Sequence, residues 1–234
     1  MLHEDETPAP GATVLVGTGG WDYLDAEGDR LKAYSKLFNF VEVNTTFYHV
    51  PRLSAVRSWR RRVPRGFTFS VKCHSRATHE LGLRPQEETY RTLDRMRQVL
   101  RLLRTDMLVL QTPPSLHVDE AKVREAEAVL KSSAAGGAQV FWETRSPLSR
   151  EKTRETRQAM LRAGFTPVVD LTLEEPVQGS GVTYSRLFGV TRFSDSLLDS
   201  VGAKVWSEGS EVAVLTFHGS AMYRDAARFK ELRR

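Results

Sequence analysis

A chain of 234 residues, 40% of them hydrophobic, suits one large domain or two small ones built around a packed core. No run of about 18 apolar residues is present, so no membrane-spanning helix is expected, and the acidic, Pro-containing start lacks the regions of a signal peptide. The single cysteine, Cys73, excludes an intramolecular disulfide and a cysteine-based structural zinc site, suits a reducing cytoplasm, and leaves a net charge of +5 as the main clue to partners.

In chain order, residues 1–12 read as a disordered tail. Thr13 to Gly17 is a short apolar strand, and the turn Thr18-Gly19-Gly20-Trp21 follows. A helix is predicted over Asp29 to Leu37 and a second strand over Phe40 to Asn44. On that strand Val41 and Val43 point one way, while Phe40, Glu42 and Asn44 point the other. An acid on so apolar a strand is costly to bury without partners. Pro51 to Arg62 reads as a loop and a helix, and Phe67 to Lys72 alternates as a third strand. A long helix over Gln86 to Arg104 carries the apolar stripe Leu93, Met96, Leu100 and Leu103, with Arg91, Arg95, Arg97 and Arg101 off it.

Met107 to Gln111 is the fourth strand, stopped by Pro113-Pro114. A helix from Asp119 to Lys131 has Asp119 as its predicted N-cap. Gln139 to Glu143, then a helix over Arg150 to Arg162, then Thr166 to Asp170 continue the alternation. The stretch through Gly181 reads as irregular. Val182 to Leu187 and Glu211 to Phe217 complete eight strands, with helices between them and after the last. Strands that alternate with helices predict an α/β fold with a parallel sheet, closed as a TIM-type (β/α)8 barrel over residues 13–234 and slightly irregular around its sixth βα unit. A doubly wound open sheet is the alternative, and no Gly-x-Gly-x-x-Gly turn or P-loop supports it.

Active sites of such barrels lie at the C-terminal strand ends. Glu42, Lys72, Glu143, Arg145, Asp170, Arg186 and His218 all fall there. Glu42 and Lys72 sit on neighbouring strands and are a predicted ion pair, either structural or functional. Glu143 is a candidate acid or base. Arg145 and Arg186 suit bidentate binding of carboxylate or phosphate, with a salt bridge from Arg145 to Glu143 or Asp170 as the plainer role. A Schiff-base role for Lys72 is open, and Cys73 beside His74 is a weak nucleophile–base pair, since adjacent strand residues point apart. Glu42, His74, His79, Glu143, Asp170 and His218 are metal-ligand types at that end of the barrel, so a metal stays open as a weaker reading, but no His-x-x-x-His or His-x-His spacing fixes one and the cofactor is left unknown.

Residues 51–104 hold 14 Lys and Arg against 4 Asp and Glu, a net of +10, while the remainder nets −5. Such an excess attracts phosphates or solvates a surface. The arginines of the long helix face outward in a barrel and read as solvated. His74, Arg76, Thr78, His79 and Arg84, after the third strand, fall on the catalytic rim.

Several stretches together resemble the domain of unknown function 72 family, the YecE-like proteins. Gly17-Thr18-Gly19-Gly20-Trp21 is similar to its opening turn. Tyr34 to Asn39, on through Tyr48, then Pro51 and Trp59, is similar to its longest signature. Phe67 to Lys72 with Thr78-His79, Leu110 to Pro114, Glu143-Thr144-Arg145 and Tyr184 to Gly189 are similar to shorter elements, so the resemblance spans about residues 13–230. It implies a TIM-type barrel and no established reaction. Ser146 and Phe188 stand where the family pattern has His, and His218-Gly219 where it has a pair of Asn.

The leading expectation is an enzyme acting on an anionic substrate, a phosphorylated metabolite or nucleic acid, with phosphodiester hydrolysis as its concrete form. Glu143 would be the general base, with Lys72 and Arg145 stabilising phosphate charge and Trp21 and Tyr48 offering stacking surfaces. Asn44, His79, Asp170 and Arg186 complete the expected substrate-binding set. The alternatives are acid/base isomerase or lyase chemistry on a sugar-like metabolite through Glu42 and Glu143, and a non-catalytic binding barrel.

Overall fold

The structure is a computed structural model that describes residues 13–179, 181–207 and 211–233, so the tail expected over residues 1–12 lies outside it. Eight parallel strands run in the chain order predicted: β1 Thr13–Thr18, β2 Phe40–Val43, β3 Thr68–Lys72, β4 Met107–Thr112, β5 Gln139–Thr144, β6 Phe165–Val169, β7 Val182–Gly189 and β8 Val212–Gly219. Their order in the sheet is β1-β8-β7-β6-β5-β4-β3-β2, a nearly closed barrel. The helices are α1 Arg30–Leu37, α2 Thr45–Tyr48, α3 Leu53–Arg62, α4 Glu87–Leu103, α5 Glu120–Ser132, α6 Arg150–Arg162, α7 Asp195–Ser207 and α8 Met222–Leu232. Among the described residues no helix joins β6 to β7, which matches the irregular stretch expected there.

Local sequence accounts for these elements. Asp29, Asp119 and Ser149 cap α1, α5 and α6 by accepting from the backbone N–H three residues on, which satisfies one orphan donor in each first turn. The α4 stripe Leu93, Met96, Leu100 and Leu103 is fully buried, while Arg91, Arg95 and Arg101 are exposed. The alternation on each strand sorts the core into two layers. Val41, Val43 and their equivalents pack outward against the helices. Phe40, Val109, Phe141, Tyr184 and Val214 fill the barrel interior. Two short elements replace expected loops. The single-turn α2 follows β2, with Thr46 Oγ1 donating to the carbonyls of Val43 (2.8 Å) and Lys72 (2.6 Å). A π-helical turn, Arg76–Glu80, follows β3 and ends with Leu81 N–H bonded to the Arg76 carbonyl.

The barrel has one seam. β1 pairs with β8 but forms no ladder with β2. Side chains bridge the gap instead. The Asn39 amide accepts from Val16 N–H (3.0 Å) and donates to the Val14 carbonyl (3.1 Å), as a strand backbone would. The buried Tyr34 hydroxyl accepts from Thr18 N–H (2.8 Å) and donates to the Phe40 carbonyl (2.9 Å). Gly17 lets the strands come this close, since a Cβ there would lie 2.0 Å from the Phe40 oxygen. The Tyr34 to Tyr48 signature thus has a structural reason at its start and a polar one at its end.

Part of the basic segment is engaged within the fold. Arg62 pairs with Asp29, Arg91 with Glu87, and Arg76 with Glu80, while Arg60 bonds the backbone carbonyl of Phe67.

Candidate functional site

One layer above the apolar interior, the same inward register turns polar. Two residues beyond Phe40, Val109, Phe141 and Tyr184 come Glu42, Gln111, Glu143 and Arg186. Ser70 and Lys72 on β3, with Thr216 and His218 on β8, complete the ring. All of these except Glu143 count as buried, and Glu42 is wholly so.

Above them opens a cavity of about 680 Å³ lined by Gly19, Gly20, Asn44, Phe47, Tyr48, Lys72, His79, Gln111, Arg145, Arg186, Phe188 and His218, with Asp22, Tyr23 and Thr45 at its edge. A smaller one of about 290 Å³ adjoins it and shares Arg145, Arg186 and Phe188. A groove of about 580 Å³ between α5 and α6 lies on the outside of the barrel and contains none of the strand-end set.

Arg186 organises the ring. Its Nη2 donates to Glu42 Oε1 (3.0 Å), and its Nη1 pairs with Glu143 Oε2. Tyr184 donates its hydroxyl to Glu42 Oε2 (2.9 Å), so the Ser70 hydroxyl, 2.8 Å from the Tyr184 oxygen, serves as donor to it. Glu143 also accepts from Gln111 Nε2 (3.0 Å) and, at its other oxygen, from Arg145 Nε (2.7 Å). Burial pushes the Glu143 carboxyl up, but the two guanidinium groups outweigh it and hold the acid at about 2. The same two acids, against the cost of burial, hold Arg186 firmly charged.

Lys72 stands apart from this network. It is 7% exposed, and no carboxylate lies within ion-pair distance of it among the described residues. Its Nζ sits 4.1 Å from the centre of the Phe47 ring, a cation–π contact that favours charge. Burial and then the Arg186 charge work the other way and lower the ammonium to about 8. His79 packs edge-on against the same ring, with centroids 4.9 Å apart, and its Nδ1 lies 2.9 Å from Thr78 Oγ1. Burial, then Lys72, lower its pKa as well, so it is neutral at pH 7. His218 is also neutral: burial and then Arg186 push it well below the usual imidazole range. Its Nε2 lies 2.5 Å from Thr216 Oγ1, and its ring stacks on Phe188 at 4.8 Å.

Six of the ten expected residues line this cavity, Asn44, Tyr48, Lys72, His79, Arg145 and Arg186, and two more, Glu42 and Glu143, belong to the polar ring beneath it. Three expectations need correction. Glu42 does not pair with Lys72, because Arg186 reaches it from across the barrel with a fork that a lysine lacks. Trp21 is 6% exposed and packs edge-on against Trp59 at 5.3 Å, so it is core and offers no stacking surface. Asp170 lines only the smaller cavity, where it bonds Thr172 and the Phe188 N–H and staples the β6–β7 connection. Cys73 is buried, its thiol pushed up to about 12 by burial, and His74 Nδ1 accepts from Arg76 N–H, so the two form no nucleophile–base pair. Sequence reasoning missed Gln111, Tyr184 and Ser70 as members, although Ser70 and Tyr184 lie two residues before Lys72 and Arg186 on the inward face and Gln111 stands opposite Glu143 in the β4–β5 register. Phe188, read as a lost polar group, forms the wall between the two cavities.

Among the described residues, no three His, Cys, Asp or Glu side chains are grouped as a metal ion would need, and no helix is long and apolar enough to cross a membrane. No curated protein matches the sequence. Solved structures do resemble the fold. A DUF72 family protein from Thermotoga maritima MSB8 is 22% identical, with 94% of this chain and 98% of that one covered at a TM-score of 0.72. One from Enterococcus faecalis V583 is 16% identical, covering 94% and 97% at 0.71. A xylose isomerase domain protein from Planctomyces limnophilus is 12% identical, covering 96% and 95% at 0.52. The sequence itself matches the family described as protein of unknown function DUF72 over residues 15–233, nearly the whole barrel with its polar ring and its seam. The chain belongs to the DUF72 family.

Proposed function

We propose that the barrel mouth is the active site of an enzyme that acts on a small anionic metabolite, with Lys72 meeting the anion and handling the proton. The observation behind this reading is the contrast between Lys72 and its neighbours. Both acids of the ring are spent on guanidinium groups, whereas the one ammonium on the cavity floor has only an aromatic face. Three cations, Lys72, Arg145 and Arg186, stand against two carboxylates, so the floor favours an anion. Arg145 uses only Nε on Glu143, and its terminal nitrogens bond no described residue. The buried Asn44 Oδ1 has no partner either, which leaves an acceptor for a ligand hydroxyl. A cavity of about 680 Å³ suits a molecule the size of a sugar phosphate or smaller.

Neither acid serves well as the base of a hydrolytic or isomerising step. Glu143 at about 2 is a weak base at neutral pH, and Glu42 is wholly buried against Arg186 and Tyr184. Their role in this reading is to hold Arg186 and the ring in shape.

Thermal shift with inorganic phosphate, pyruvate and dihydroxyacetone phosphate tests the proposal. At least one anion stabilises the wild type, the effect weakens as pH rises through about 8, and Lys72→Ala abolishes it. Absence of any shift, or an equal shift in Lys72→Ala, overturns the reading.

A further inference from the structure

Resting on that reading of the mouth, we propose that the Lys72 amine is a nucleophile that forms an imine with a carbonyl group of the ligand, so that the substrates are small oxo-acids or oxo-phosphates. The placement of the side chain carries this. Lys72 is the last residue of β3, its stem buried, with Thr46 Oγ1 holding its own backbone carbonyl at 2.6 Å. A lysine kept only to bind an anion is served by water and a carboxylate that hold it charged. Here an aromatic ring takes their place at contact distance, and burial, then the Arg186 charge, favour loss of the proton against the opposing pull of Glu42 and Glu143. The same Arg145 offers free terminal nitrogens to a carboxylate or phosphate. Arg145 and Lys72 line the same cavity, so in this proposal the anionic group sits at the first and the carbonyl carbon at the second.

The chemistry balances without a redox partner. The amine lone pair attacks the carbonyl carbon, the C–O π pair moves to oxygen, and a proton passes from nitrogen to that oxygen. The nitrogen lone pair then expels the hydroxyl, which leaves as water after taking a second proton. One amine, one carbonyl and one proton yield one protonated imine and one water. His79 shares the Phe47 ring with Lys72 and is neutral, so it can relay these protons. A protonated imine withdraws electrons from the neighbouring carbon, which is the chemistry of aldol cleavage and of proton abstraction beside a carbonyl.

Incubation of the full chain with pyruvate or dihydroxyacetone phosphate and cyanoborohydride, then peptide mass mapping, tests this. Reduced adduct is expected on Lys72 at least about tenfold faster than on the exposed Lys131, because a lowered pKa leaves far more neutral amine. Acetone, which has no anionic group to anchor, keeps only the advantage of the neutral amine, so its preference for Lys72 is smaller than that of pyruvate. Lys72→Arg keeps the charge, and it is expected to retain the anion-induced thermal shift while losing the fast adduct. Anion binding by the wild type without preferential labelling of Lys72 overturns the imine and leaves the anion site standing. Absence of both overturns the two together. Undiminished fast labelling elsewhere in Lys72→Arg assigns the chemistry to another residue and refutes the proposal.

Discussion

Lys72→Met should make the protein more stable at neutral pH, an unusual direction for a buried substitution. A lysine lowered from its usual 10.5 to about 8 is one whose charge the fold disfavours by about 3 kcal/mol. Methionine removes that cost and keeps an apolar stem against Phe47, with a sulfur–ring contact in exchange. It forfeits the cation–π attraction, about 0.5–2 kcal/mol at a desolvated site. The net expectation is a gain of about 1–2 kcal/mol. The sign of the pH dependence follows from the direction of the shift. Below about 8 the lysine is charged both folded and unfolded, so wild type bears the full penalty. Between about 8 and 10.5 the folded protein sheds the proton first, the penalty lifts, and the advantage of the variant shrinks. Urea unfolding of both proteins, followed by tryptophan fluorescence at neutral pH and again near 10.5, measures the two differences. A variant less stable than wild type at neutral pH, or an advantage that does not narrow with rising pH, would refute the view that Lys72 is held against the preference of the fold.

Arg186→Met should destabilise by about 3–5 kcal/mol, since it leaves Glu42 and Glu143 without their shared counter-ion. Adding Glu42→Gln should recover part of the loss in the same urea assay, and a single variant within about 1 kcal/mol of wild type would contradict the role given to this fork. Tyr34→Phe strips the partner from a buried N–H of Thr18 and from the Phe40 carbonyl, so it should cost about 2–4 kcal/mol. Amide exchange at Thr18 should quicken in parallel, and unchanged exchange would show that the seam does not depend on the hydroxyl.

Much of this architecture was legible because strands and helices write their periods into the sequence. The α6 boundaries, Arg150 and Arg162, came out as expected, and the inward face of β2 followed from alternation alone. Period two also carries the polar ring, for Glu42, Lys72, Glu143 and Arg186 all lie on inward positions. Pairing was not legible. Glu42 and Arg186 are 144 residues apart, and the neighbouring-strand logic that favoured Lys72 ignores the reach of an arginine across a barrel. Trp21 was misplaced for a related reason: a Gly-Gly-Trp turn reads as surface, yet the loop folds its indole back onto Trp59. The seam was not legible: Tyr34 to Asn39 stood out only through its family resemblance, and its structural role needed the missing β1–β2 ladder, which no local pattern reports.

That missing ladder bears on the order in which the chain can acquire its structure. Among the described residues β1 has hydrogen-bonded strand contact on one flank only, and the neighbour there is β8, 199 residues later in register (Thr13 against Val212). On its other flank β2 offers side-chain bonds from Asn39 and Tyr34 but no run of backbone partners. During synthesis, strands β2 to β7 can pair in succession as they emerge, while β1, the first strand of the barrel, stays an exposed edge until β8 is complete. The barrel is therefore closed by the meeting of its two sequence extremes, and the long-range step that completes it is the one most slowed by chain entropy.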